Sequence, residues 1–557
     1  MKGDGVAKAK KSQGHFEEKT DETVKSCVGG ARIAFGTSGW RGRLGQDFVL
    51  ANVQRATQGV AEYYGRHLGR DSILIGFDPR RGNYEFAIEI ASILAANNIP
   101  VKIILEEPTP TPVLAYLANS DEEISGVINL TGSHNRYTDD GFKFSPHHGG
   151  AADKETTDLI SKYANEAVTY RKISYESAKA KGLIREVPLK ETVDRYVNGH
   201  ILPSLKQLGA WETIVNYVKA NPNFKLISDP MQGTTVRYLE AFYGLLEKEV
   251  GRSFIEIIHI DNRDPAFTQV NGAPNPTEPD SIRGLIRLVA KDEHTLGLAT
   301  DGDGDRFGVI DFKGGNISGN EVIAMLTYFL AQQKLRGAIG KTVATSNFVN
   351  AVAEHLGLEL VETPVGFKWF VERTVKEGTQ FLVAGEESAH VGTGPFMKSW
   401  DDGIIIGIMC LWMIASTEKS LTSYKGQIET AIGKRFFYTR DNIELTQELK
   451  DKTTRLIHQA KQEHDDGKRP EEMSISQRIR DIDLTKKIRA IITLDGLKII
   501  FDAGDWLCIR LSGTENVARL YTEVIDMKQQ DSLHCISKAL LGVSLEKTPL
   551  SSAHGCS

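Results

Sequence analysis

An α/β fold of several domains is predicted by three features of the sequence: its length, an alternation of short β-rich runs with longer helical stretches, and a change of texture after about Lys434. The chain has 557 residues, and at about 150 residues per domain this gives a prior of three to four domains. The runs at 72–77, 101–105, 225–228, 254–260, 296–300 and 381–385 are short and apolar. Longer helical stretches separate them, such as those beginning at Asn83 and Gly319. That alternation argues for α/β domains with largely parallel sheets. Beyond Lys434 a strand-like segment leads into a long polar helix. Four strand-like runs then follow at 489–495, 497–503, 505–512 and 519–525, most of them parted by Gly or Asp. This reads as an α+β unit, an antiparallel sheet flanked by helices.

Composition narrows the function. With 40% hydrophobic and 25% charged residues the chain can bury several cores, so disorder is not the default. A net charge of -6 gives no reason to expect nucleic acid. The five cysteines, Cys27, Cys410, Cys508, Cys535 and Cys556, form no C-x-x-C pair. They read as reduced thiols in a cytoplasmic protein rather than a disulfide scaffold or a zinc site. The polar N-terminus lacks the apolar segment of a signal peptide. The longest apolar stretch, 404–415, is too short to span a bilayer and reads as a buried helix, so no membrane partner is expected. The sequence does not speak to oligomeric state.

Four motifs carry chemistry, each at the end of a strand-like run, where open α/β sheets bind ligands. Thr131-Gly132-Ser133-His134-Asn135 offers a serine nucleophile beside an imidazole, with Lys143 downstream. An ordinary strand-end turn with Ser133 as an N-cap is the competing reading. Asp301-Gly302-Asp303-Gly304-Asp305-Arg306 puts three carboxylates at alternating positions, which suits one hard cation. It is not an EF-hand, because Arg306 and Phe312 stand where Gly and Glu are needed. Glu386, Ser388 and His390 combine groups that both donate to and accept from sugar hydroxyls, although a solvated loop would look the same. Arg510, Ser512, Gly513 and Thr514, followed by Arg519, suit a phosphate at a helix N-terminus, and Ser512 with Glu515 also fits a capping box.

Together these motifs resemble the α-D-phosphohexomutase family, most closely its phosphoglucomutases. The resemblance runs in order from the segment Phe35-Gly36-Thr37-Ser38-Gly39-Trp40-Arg41-Gly42 to Glu523. Smaller matches lie at 76–80, 229–233 and 363–370. Departures are Gly132 for the usual Ala, Arg136 for Pro, Asp140 for Asn, Ala389 for Gly and Asn516 for Pro. None removes a group that the chemistry needs. The resemblance implies three similar α/β domains with mixed sheets around a central cleft, plus a C-terminal α+β domain. The expected boundaries are a flexible tail 1–29, domains 30–212, 213–315, 316–436 and 437–545, and a tail 546–557.

The same resemblance implies a mechanism. Ser133 would be phosphorylated and would share Mg²⁺ with Asp301, Asp303 and Asp305. A sugar phosphate would pass through glucose 1,6-bisphosphate, which is also the expected activator. Arg41 and Arg306 would stabilise the moving phosphoryl group, and Lys143, then His134, would be the acid/base. Thr37, Ser38, Gly366, Lys368, Glu386, Ser388, His390, Arg510, Ser512, Gly513, Thr514 and Arg519 would bind substrate. Glucose is the first expectation. Mannose, glucosamine or pentose phosphates, a sugar-bisphosphate synthase, and a binding protein that has lost turnover are the alternatives.

Overall fold

The computed structural model describes residues 22–27, 30–36, 39–69, 71–513 and 516–542. Three α/β units follow one another, and each repeats one pattern around its site. In the first, Ile124–Leu130 runs parallel to Ser72–Phe77 on one side and antiparallel to Asp139–Pro146 on the other. In the second, Thr295–Thr300 runs parallel to Lys225–Asp229 and antiparallel to Phe307–Asp311. In the third, Phe381–Gly385 runs parallel to Ala338–Thr342 and antiparallel to Val391–Thr393. All three site strands are buried along their whole length, as expected for strands covered on both faces. The sheets are therefore mixed rather than largely parallel. A short turn reverses the chain after each site strand and makes the next pairing antiparallel. That turn carries the functional motif.

Local sequence accounts for the helices between them. Ser318 and Glu321 form a capping box ahead of Gly319–Gln332. The Asp402 carboxylate accepts from Ile405 N at 3.1 Å and starts Gly403–Thr417. That helix is buried on nearly every face and holds the longest apolar run. Its side chains belong to one continuous core with those of Ala210–Ala220 and Gly319–Gln332. Among the described residues no single helix is long and apolar enough to cross a membrane.

The C-terminal unit is a five-stranded antiparallel sheet, in the order Phe437–Glu444, Val517–Val524, Trp506–Leu511, Leu497–Phe501, Ile488–Ile492. One face packs under the helices Gln447–Asp465, Ser474–Ile482 and Gln530–Leu541. The other meets the third unit around Ala344, Trp506 and Tyr521. Buried Glu523 crosses this seam, accepting from Asn347 N at 2.8 Å and Trp506 Nε1 at 2.7 Å.

Three expectations need correction. Residues 1–29 are not tail throughout: Thr23–Ser26 is a strand antiparallel to Thr169–Lys172, its ladder outweighing its polar composition. The second sheet runs past 315, because Gly315–Ile317 pairs with Phe307–Asp311. The segment after Ser512 enters the strand Val517–Val524, not a helix. Ser512 and Glu515 therefore form no capping box, and the expected helix N-terminus is a hairpin connection. Residues 546–557 lie outside the described residues.

Candidate active site

Ser133 follows the strand Ile124–Leu130 in a left-handed conformation (φ 51°) that non-glycine residues rarely adopt. No helix begins there, so the serine is not an N-cap. Arg80 holds this turn in shape. Its guanidinium donates to four loop carbonyls: Ser133 O at 2.7 Å, Asn135 O at 2.8 Å, Arg136 O at 2.7 Å and Asp139 O at 2.9 Å. Its charge is met by Asp78 at 3.0 Å. Asp78 also accepts from Thr131 Oγ1 at 2.7 Å and Gly132 N at 3.2 Å. The alanine usual at position 132 does not fit here, since a Cβ on Gly132 would lie 2.4 Å from Arg80 Cζ. The Arg136 side chain is exposed, and its backbone carbonyl serves the loop.

The serine meets the second unit directly. Its Oγ donates to Asp301 Oδ2 at 2.9 Å and lies 3.3 Å from His134 Nδ1. The approach requires glycine at 302, where a Cβ would sit 2.7 Å from Ser133 O. Asp301, Asp303 and Asp305 are buried, each with an oxygen within 4.8 Å of the others. Burial, then Asp305 and Asp303, push the Asp301 carboxyl well above its ordinary range. Asp303 Oδ1 and Asp305 Oδ1 are buried without hydrogen-bond partners. Hard, crowded, partly unsatisfied oxygens beside a hydroxyl are the donor set of Mg²⁺, so these residues fit that ion.

The cations expected around Ser133 are present. Lys143 Nζ reaches Asp303 at 2.6 Å and Asp305 at 3.0 Å. Burial opposes its charge, but the two aspartates prevail and raise its pKa. Arg41 Nη1 donates to Thr131 O at 2.7 Å. Arg306 Nε donates to His390 Nε2 at 2.8 Å. His134 is held well below its usual pKa by burial and by Arg306 and Arg41, so it is neutral.

The third unit closes the cleft with Gly366, Lys368, Glu386, His390, Trp400 and Asp401, which share a pocket with Lys143 and Asp305. Glu386 accepts from Gly366 N at 2.9 Å, and burial raises its pKa. The Lys368 ammonium lies 5.0 Å from the centre of the Trp369 ring. Ser388 is half-buried in the same turn. Arg510, Ser512, Gly513 and Arg519 do not line this pocket. Arg510 connects to its wall through Asp495, which accepts from Arg510 Nε at 2.7 Å and from Val365 N at 3.0 Å. Thr37, Ser38 and Thr514 lie outside the described residues.

Sequence reasoning passed over Asp78 and Arg80 as site residues, although their segment had been noted. It missed Thr111, whose hydroxyl donates to Asp303 at 2.7 Å. It also missed Asp401, which pairs with His390 Nδ1 at 2.7 Å. The acidic pair ahead of the apolar run at Gly403 was the available signal for Asp401.

Comparison with known proteins agrees with this geometry. Domain models of the phosphoglucomutase/phosphomannomutase family match in order: α/β/α domain I on residues 32–171, domain II on 205–314, domain III on 318–432 and the C-terminal domain on 460–533. A phosphoglucomutase of Komagataeibacter xylinus is 27% identical over 537 residues, covering 91% of this chain and 90% of the relative. A phosphoglucosamine mutase of Campylobacter concisus is 24% identical, covering 88% and 94%. The Paramecium phosphoglucomutase parafusin, solved in an open form, superposes with a TM-score of 0.75 at 20% identity over 93% of this chain and 96% of its own. This last likeness, at its level of identity, speaks for the fold alone. With every domain of the family matched in sequence along one chain, the protein belongs to the phosphoglucomutase/phosphomannomutase family and is a phosphohexomutase, an isomerase.

Proposed function

We propose that the protein interconverts glucose 1-phosphate and glucose 6-phosphate through a phosphorylated Ser133 and glucose 1,6-bisphosphate. The observation that carries this reading is the 2.9 Å contact between Ser133 Oγ and Asp301 inside the three-aspartate cluster. Phosphoryl transfer asks a protein mainly for positioning and charge stabilisation. Mg²⁺ held by Asp301, Asp303, Asp305 and the Ser133 oxygen would offset charge on the transferring phosphoryl group.

The remaining roles fall to the chain itself. A sugar hydroxyl attacks the phosphorus carried by Ser133; the new O–P bond forms as the bond to Ser133 Oγ breaks. Lys143, kept protonated by Asp303 and Asp305, supplies positive charge and is the first candidate to move the proton. Neutral His134 is the second, 3.3 Å from Ser133 Oγ. Arg41 and Arg306 flank the transferring group. Glu386, Ser388 and His390 bind sugar hydroxyls in either orientation, with Gly366 and Lys368 beside them. Arg510, Ser512, Gly513, Thr514 and Arg519, with Thr37 and Ser38, hold phosphate and complete the substrate site. The bisphosphate then turns and returns its other phosphate to Ser133. Glucose as the sugar is supported by the Komagataeibacter xylinus relative. The phosphoglucosamine mutase relative makes glucosamine phosphate the comparison to run.

The test is initial turnover of glucose 1-phosphate, mannose 1-phosphate and glucosamine 1-phosphate side by side, with Mg²⁺, the matching bisphosphate and a Ser133→Ala control. Fastest turnover of the glucose substrate, abolished in the control, supports the reading. Preference for another sugar reassigns the substrate, and release of free bisphosphate as the end product makes the protein a synthase.

A further inference from the structure

Behind the catalytic cleft lies a second cavity of about 470 Å³, within the size range of small-molecule sites. It is bounded by the helix Thr111–Asn119, the π-helical stretch Asp194–Ile201 with the turn after it, the helix Lys368–Glu377 and the segment Gly394–Trp400. Tyr116, His200, Ser204, Thr374, Lys398 and Trp400 are among the residues lining it. Nothing in the phosphohexomutase chemistry uses it.

Two buried polar atoms in this lining have no hydrogen-bond partner: His200 Nε2 and Thr374 Oγ1. Such groups carry a cost when left unsatisfied. His200 is only 6% exposed and stacks on Tyr116 at 4.3 Å between ring centroids. Its ring face is therefore occupied while its Nε2 edge is unmet. Lys398 is the one charged side chain lining the cavity. Burial, reinforced by Lys398, pushes the His200 pKa down to about 4, so at neutral pH the imidazole is neutral. One ammonium, hydroxyls, a neutral imidazole and no carboxylate describe a receptor for a small oxyanion.

Trp400 connects the two cavities, since it lines both. It holds a strained backbone (φ 60°, ψ -121°) and donates from Nε1 to His148 O at 2.7 Å. The next residue, Asp401, binds His390, and His390 accepts from Arg306. A ligand that fixes the 394–400 segment therefore acts on the residue beside the transferring phosphoryl group without entering the cleft.

We propose that this cavity is a second ligand site, taking a small oxyanion of up to hexose-phosphate size on Lys398, His200 and Thr374, and that Trp400 transmits its occupancy to the catalytic cleft. The oxyanion is a phosphate or a carboxylate, which two probes separate. Calorimetric titration with inorganic phosphate and with malonate is run on the whole protein and on Arg510→Ala, which weakens the cleft, and Lys398→Gln, an exposed position that will not disturb folding. The expected result is a saturable site that survives in Arg510→Ala and weakens at least tenfold in Lys398→Gln, with the tighter probe naming the anion. Mutase kcat/KM of the wild type, and not of Lys398→Gln, should change when that anion is added. His200→Phe, checked by thermal melting, should weaken binding as well. Loss of the site in Arg510→Ala, or equal binding in Lys398→Gln, overturns the proposal. Binding with unchanged kinetics overturns the link through Trp400.

Discussion

Asp495 and Arg510 are joined at 2.7 Å across the hairpin that faces the third unit, and the same carboxylate accepts from Val365 N at 3.0 Å. One side chain thus orients a phosphate-binding arginine and ties its unit to the loop that carries Gly366 and Lys368. Asp495→Ala should release Arg510 from its fixed direction and cut that tie. The expected outcome is a rise in KM for the sugar phosphate of about tenfold or more, the scale of a lost charge-assisted hydrogen bond, with a smaller change in kcat. Steady-state kinetics separates the two, and Asp495→Glu should recover part of the loss.

Arg80 is as deeply placed in the serine loop. It satisfies four carbonyls and is paired with buried Asp78. Arg80→Met should leave the Asp78 charge uncompensated, at a cost of about 3–5 kcal/mol. The left-handed turn at Ser133 should then lose its support. Thermal unfolding should show the first effect. Mass spectrometry after incubation with glucose 1,6-bisphosphate should show loss of phosphate on Ser133, even in protein that remains folded at low temperature.

The fold and the catalytic centre differ in how legible they were. Ser133 and the three aspartates could be read because each motif follows an apolar run in one continuous segment, and strand-end placement is a local property. The same locality fails for contacts made across the chain. Arg80 reaches Ser133 over 53 residues and Thr111 reaches Asp303 over 192, and no spacing rule announces such pairs. The strand at Thr23–Ser26 was hidden for a related reason. Its residues are polar and exposed, so only the partner strand at 169–172 reveals it. Ser512 and Glu515 matched a capping pattern that is equally compatible with a turn between strands, and tertiary pairing with the strand Trp506–Leu511 decided the outcome.

Chelation should abolish turnover, and added Mg²⁺ should restore it. The three aspartates crowd their oxygens within 4.8 Å, and two of those oxygens have no partner. Asp305→Asn should weaken Mg²⁺ at least tenfold by removing one anionic ligand, seen as a rightward shift when activity is titrated against Mg²⁺. Fold stability without metal should not fall in this variant, because one member of a self-repelling cluster has been neutralised. Melting temperatures measured in chelator check that second expectation.

Asp140, in place of the family's Asn, should make stability depend on pH. Its carboxyl is fully buried, with Asp78 as its charged neighbour of like sign, Arg80 as the opposing one, and Oδ2 without a partner. Burial first, and then Asp78, raise its pKa to about 8, against about 3.9 for an unfolded aspartate. Between those values the folded protein holds a proton that the unfolded chain has released, so stability falls as pH climbs from about 4 to about 8 and levels off above. At neutral pH Asp140 is then mostly an uncharged acid, with the shape of the Asn it replaces. Asp140→Asn should fold into the same loop and remove this slope. The melting temperature of the variant minus that of the wild type should grow across that interval and stay constant beyond it. A difference that does not vary with pH would show Asp140 to be ionised in the fold throughout.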